Sequence, residues 1–169
     1  MKMTDMSFVY NAVLTGVGAT LVMDIWALLL RYLFKISSLD MRIVGRWIAG
    51  MARGQFFHAH IGQARPVKGE GFIGWGAHYL IGILFAGAFL WGVRSDWIKD
   101  PAVLPAILFG IITVLFPFCL MQPAFGFGIA AARTPAPNIA RLKSLVSHTV
   151  FGGGLYLSGW ALAQGGGAF

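Results

Sequence analysis

Residues Phe8–Leu30 read FVYNAVLTGVGATLVMDIWALLL, an apolar run broken by a single acidic side chain, Asp24. A helix needs about 20 apolar residues to cross the roughly 30 Å hydrocarbon core of a bilayer, and this run is long enough. Lys2 precedes it, as a basic residue precedes the apolar core of a secretory signal. The run exceeds the about 7–15 residues of such a core, however, and no small-residue cleavage pattern follows. A retained spanning helix is expected.

The rest of the chain extends this reading. Of 169 residues, 57% are hydrophobic and 11% charged, whereas roughly a quarter of the residues of a soluble domain carry charge. Further apolar blocks lie at 72–93, 102–122 and 144–163. The expected fold is all-α: a polytopic membrane protein with four transmembrane helices at about 8–34, 72–93, 102–122 and 144–163, forming one domain over 1–169. The lone Cys119 permits no internal disulfide.

The charges set an orientation. Segment 35–72 carries Lys35, Arg42, Arg46, Arg53, Arg65 and Lys68 against Asp40 and Glu70, and segment 133–143 carries Arg133, Arg141 and Lys143 with no acid. Arg94 and Lys99 are balanced by Asp96 and Asp100. Basic loops stay on the cytoplasmic side, so 35–72 and 133–143 are expected there, with both termini periplasmic. The net charge of +7 thus points to anionic lipid, not to nucleic acid.

Within the first basic loop, Asp40 is placed to cap a short helix. Arg42, Arg46 and Arg53 fall on one face and Ile43, Trp47, Ile48 and Met51 on the other, the pattern of an interfacial amphipathic helix with arginines at lipid headgroups and apolar residues in the acyl boundary. The same arginines would also suit an anionic substrate. The following stretch, His58–Tyr79, reads HAHIGQARPVKGEGFIGWGAHY. Its H-x-H pair, His58 and His60, reads as solvated loop histidines, since two ligands alone make a weak metal signal. Glu70 fits either a helix-start acid or a step on a proton path toward His78.

Ionisable groups inside a bilayer are expensive and face protein or a cavity. Asp24 lies on the stripe Gly16, Thr20, Asp24, Ala27, Arg31, whose small residues allow a neighbouring helix to approach. His78, Gln122 with Met121, and His148 fall at similar depths on the other three helices, so Asp24, His78, Met121, Gln122 and His148, with Glu70 at the edge, form an expected polar layer in the cytoplasmic half. His78 and His148 are each followed four residues on by glycine, Gly82 and Gly152, on the same face. Hydrogen-bonded histidines, a proton relay, a metal site and haem ligation all remain open for that pair. Pro117 and Pro123 interrupt the third span, and MQPAFGFG at Met121–Gly128 reads either as a cavity wall or as an apolar surface loop after the helix end.

The motifs GATLVMDIWA (Gly18–Ala27), VGRW (Val44–Trp47), ARPVKGE (Ala64–Glu70), GWGAHY (Gly74–Tyr79), MQPAFGFG, RTPAP (Arg133–Pro137) and SLVSH with FGGGLYL (within Ser144–Leu157) together give a resemblance. Over nearly its whole length the chain resembles the domain of unknown function 2938 family of small bacterial inner-membrane proteins. That resemblance implies four helices and an inner membrane, and assigns no activity or functional residue.

The expected function is binding or moving an ion, proton or small solute through the polar layer. The alternatives are an accessory or assembly subunit of a larger membrane complex, and a haem- or metal-binding redox protein. No nucleophile elbow, P-loop or dinucleotide fingerprint points to an enzyme, and no motif assigns a cofactor. The expected partners are the bilayer and its anionic lipids, with a homo-oligomer or larger complex open.

Overall fold

The computed structural model describes residues 5–93 and 95–165. Arg94, counted above among the loop charges, lies outside them, as does the Asp96 side chain. Among the described residues the chain is helical, with no strand. Helix α1 spans Asp5–Phe34, α2 Met41–Met51 and α3 Glu70–Gly92. Helix α4 begins as Val103–Thr113, passes through a π turn at Pro117–Met121 and ends with Gln122–Ala124, and α5 spans Pro137–Gln164.

Three of these helices, at Met6–Phe34, Glu70–Gly92 and Val103–Ala124, are long and apolar enough to cross a membrane. The fourth expected span lies within α5, whose 28 residues reach about 42 Å. Ser144, Ser147, His148 and Thr149 thin its apolar content, so composition does not place it with the other three.

Two compact units divide the chain. The first comprises Met1–Ser37, Tyr79–Ile112 and Ser147–Phe169. Small residues make its helix contacts by close backbone approach, the packing mode of apolar spanning helices. Gly16 of α1 lies against the backbone of Gly82 and Ile83 in α3, Gly154 of α5 against Ala19 in α1, and Gly110 of α4 against Gly152 in α5, none with room for a Cβ. The apolar core gathers Phe89, Leu90, Trp97, Phe151 and Leu155, with the Phe89 and Trp97 rings edge to face at 4.7 Å.

The second unit comprises Ser38–His78 and Thr113–Val146. Asp40 caps α2 as expected, its carboxylate accepting from the Arg42 N–H at 2.9 Å. The apolar side of α2, expected at the acyl boundary, packs on protein. Val44 and Trp47 are buried with Ile61, Ala124 and Phe125, and Ile43, Ile48 and Met51 pack on that cluster. Trp47 sits edge to face with Phe125 and donates its indole N–H to the Phe56 carbonyl at 2.8 Å. The reason is that the end of α4 supplies an apolar surface that the helix can cover in place of acyl chains.

The break expected within Met121–Gly128 falls later than the prolines. Pro117 lacks the N–H for the next helical bond, and the ladder widens to a π turn in which the Gln122 N–H reaches the Pro117 carbonyl. The helix then persists through Pro123 and stops at Gly126. There the Phe127 N–H bonds to the Gln122 carbonyl and the Gly126 N–H to the Pro123 carbonyl, the two bonds of a Schellman cap with Gly126 in the left-handed region at φ +85°. Gly126 also lies on the Ala59 carbonyl, closer than a Cβ would allow. Hydrogen bonds from His58 N–H to Ala124 O and from Ile61 N–H to Phe125 O fasten the α2–α3 connection to this helix end.

Candidate functional site

In the first unit, the stripe that carries Asp24 lies against α3. Thr20 donates its hydroxyl to the Gly16 carbonyl at 2.8 Å, and Gly82 faces Thr20. One turn further on, the Tyr79 hydroxyl donates to Asp24 Oδ2 at 2.9 Å, joining residues 55 apart in sequence. Asp24 is ten residues from the end of α1 at Phe34, or about 15 Å along its axis. The phenol donates and the carboxylate accepts, which orients the carboxylate toward α3.

Tyr79, the neighbour of His78, is a functional candidate outside the expected polar layer. An aromatic hydroxyl inside an apolar span is the signal that could have found it, because a buried tyrosine seeks a partner. His78 is set about 100° around the helix from Tyr79 and belongs to the second unit, where its half-buried ring meets Trp75 edge to face at 5.7 Å. His148 is half-buried in the first unit, with its carbonyl against Gly110. The Gly152 that follows it accommodates Ala106 and Ile107 of α4, so this glycine admits a helix backbone to the contact.

The first unit also buries Asn11 and Thr15 completely, one helical turn apart on α1. The Thr15 hydroxyl has no hydrogen-bond partner among the described residues. This pair lies outside the expected polar layer.

The second unit holds the most developed polar arrangement. Gly45 and Gly74 bring α2 and α3 together backbone to backbone, with Gly45 on the Glu70 carbonyl and Gly74 on the Met41 carbonyl. That approach carries the next residue, Arg46, to the first residue of α3. Arg46 Nε donates to Glu70 Oε2 and a terminal nitrogen to Oε1, both at 2.9 Å. Its other terminal nitrogen donates to the Ile61 and Ala64 carbonyls at 3.3 and 2.9 Å. Glu70 Oε2 also accepts the Val67 N–H at 2.9 Å. The hydrogen bonds to Glu70 raise the Arg46 pKa above its ordinary value.

This clamp uses the guanidinium as a staple between α2, the loop and α3. Arg46 therefore does not face lipid headgroups as the basic-face pattern implied. Arg42 and Arg53 remain exposed, Arg53 in the turn beyond the end of α2. Glu70 acts as a helix-start acid whose proton-path role has no support in this pairing.

Met121 packs partly buried on the α2 cluster. Gln122 is buried and its amide faces the Ser144 hydroxyl at 3.4 Å, while its carbonyl oxygen has no hydrogen-bond partner among the described residues. His60 is exposed beside Phe127, as a loop histidine would be. His58 is half-buried, with Nε2 lacking a hydrogen-bond partner among the described residues. Burial, and then the Arg46 charge, push its pKa down. The polar-layer residues thus fall in both units: Asp24 and His148 in the first, Glu70, His78, Met121 and Gln122 in the second. Among the described residues no three His, Cys, Asp or Glu side chains are grouped to hold a metal ion.

Neither a curated protein nor a solved structure matches the chain. Residues 13–162 match the model of the family described as Protein of unknown function (DUF2938), and the chain belongs to that family.

Proposed function

We propose that this is a polytopic membrane protein that binds and moves a proton or small cation, with Asp24 as the binding group and Tyr79 as the residue that orients it. The observation that carries this reading is the hydrogen bond from Tyr79 to a carboxylate well inside an apolar spanning helix. A charge at that depth is costly and is retained where it contacts something that crosses. In this reading α5 is the fourth transmembrane helix, its glycines packed against α1 and α4. The membrane is a bacterial inner membrane, the termini are periplasmic and the basic loops cytoplasmic.

The test is proton flux into proteoliposomes, followed with an entrapped pH-sensitive dye under a clamped membrane potential, with Na⁺ and K⁺ as second probes. Asp24→Asn keeps an acceptor for the Tyr79 hydroxyl and removes the charge. The expected result is a loss of flux of about tenfold or more, equivalent to at least about 1.4 kcal/mol, with normal insertion. Wild-type flux of every probe in Asp24→Asn would sink the proposal.

A further inference from the structure

The second unit carries six of the chain's seven net positive charges, since eight lysines and arginines face only Asp40 and Glu70 there. The salt bridge of Arg46 with Glu70 is internal and cancels itself. Arg53, Arg65, Lys68 and Arg133 are exposed, and among the described residues none of them forms an ion pair. Their charges are open to solvent and to any anionic surface the chain meets.

The same unit exposes aromatic rings close in sequence to these cations. Phe56 and Phe57, 53% and 71% exposed, follow Arg53 across the turn that ends α2, and Phe72 and Trp75, 88% and 49% exposed, follow Lys68 on the first turns of α3. Phe72 and Trp75 are three residues apart and so share a helix face. Phe56 and Phe57 lie in a connection, so a run of spanning helix does not account for their exposure. An apolar partner alone would leave the cations unmatched, and an aqueous surface would leave the rings wet.

We infer that Arg53, Arg65 and Lys68, flanked by Phe56, Phe57, Phe72 and Trp75, form a binding surface for anionic phospholipid. Trp75 takes the level between headgroups and acyl chains, where amphipathic aromatic belts sit, and the three phenylalanine rings enter the acyl region. The cations reach the phosphates above them, their methylene stems lying along the rings. This surface is distinct from Asp24 and does not depend on its transporting anything.

The experiment uses the full chain in vesicles of brominated lipid, whose bromines quench nearby tryptophan. Quenching by brominated phosphatidylglycerol is compared with that by brominated phosphatidylcholine, and Trp75→Phe identifies the contribution of this surface. A preference for the anionic lipid is expected, weakened by salt and lowered about fivefold for each cation neutralised in Arg53→Gln, Arg65→Gln and Lys68→Gln. Should the triple variant fail to insert, the single variants carry the same expectation individually. Equal quenching by the two lipids in the wild type would overturn the inference, as would a preference unchanged by the substitutions. A second copy of the chain, an acidic protein or a nucleic acid protecting these residues in place of lipid would do so too.

Discussion

Arg46 and Glu70, 24 residues apart in sequence, meet through two parallel hydrogen bonds of 2.9 Å, and Arg46 spends its remaining terminal nitrogen on the Ile61 and Ala64 carbonyls. One side chain thereby fixes the end of the α2–α3 connection to both helices. Bidentate Arg–carboxylate geometry is directional, and leaving one partner buried alone is costly.

Arg46→Ala is accordingly expected to destabilise the protein by about 3–5 kcal/mol, since it strands Glu70 and releases two carbonyls. Arg46→Lys retains charge without the fork and should recover only part of that loss. Thermal unfolding in detergent measures both, and limited proteolysis within 55–69 should accelerate in the same order. An unchanged melting midpoint in Arg46→Ala would show that the clamp contributes nothing.

Gly126 and Gly54 have nearly the same backbone conformation, φ +85° and +78°, but different surroundings. A Cβ at Gly54 meets nothing within 4 Å, whereas at Gly126 it overlaps the Ala59 carbonyl. Gly54→Ala should therefore cost about 1 kcal/mol, from the left-handed conformation alone. Gly126→Ala should cost at least about 2 kcal/mol more, because the His58–Ile61 segment must move and its two hydrogen bonds to α4 stretch. Comparing the two unfolding midpoints separates conformation from contact.

The helices were legible because apolar runs of spanning length leave few alternatives, and the Asp40 cap follows from the chemistry of one side chain. Asp24 was legible as a polar group that had to find a neighbour, and the small residues on its stripe gave the face. Tyr79 as that neighbour was not, because the relative rotation of α1 and α3 is set by how Gly16 and Gly82 pack. The α2 arginines show the same limit more sharply. A basic face opposite an apolar face has one pattern whether the apolar side meets lipid or protein, and only the position of the α4 end decides it. The Gly45–Gly74 approach that delivers Arg46 to Glu70 is likewise a property of two helices together.

The depressed pKa of His58 gives stability a direction in pH. Its value in the folded protein lies below the ordinary 6.5, first through burial and then through the Arg46 charge. The unfolded chain therefore binds the proton more readily, and stability is complete above about pH 6.5 and falls as the pH drops through and below it. Melting midpoints between pH 8 and pH 5 should decline in the wild type and decline less in His58→Gln. Parallel slopes for the two proteins would assign the acid sensitivity elsewhere.

Tyr79→Phe separates orientation from binding at Asp24. The substitution removes one hydroxyl from a ring otherwise kept, so the packing of α3 on α1 at Gly16 and Gly82 is preserved and the stability loss should be about 1.5–3 kcal/mol, the net value of one hydrogen bond to a charged group. If Asp24 binds the transported species, a carboxylate without its donor binds it from a broader set of orientations. The half-saturating concentration should then shift about tenfold, the equivalent of about 1.4 kcal/mol, while maximal flux stays within about threefold of wild type. Asp24→Asn should lower flux by about tenfold or more at every concentration. A flux curve measured against concentration for both variants distinguishes the roles: a Tyr79→Phe protein that loses maximal flux with unchanged half-saturation would make the phenol part of the moving step, and one indistinguishable from wild type would reduce the Asp24–Tyr79 bond to a helix contact.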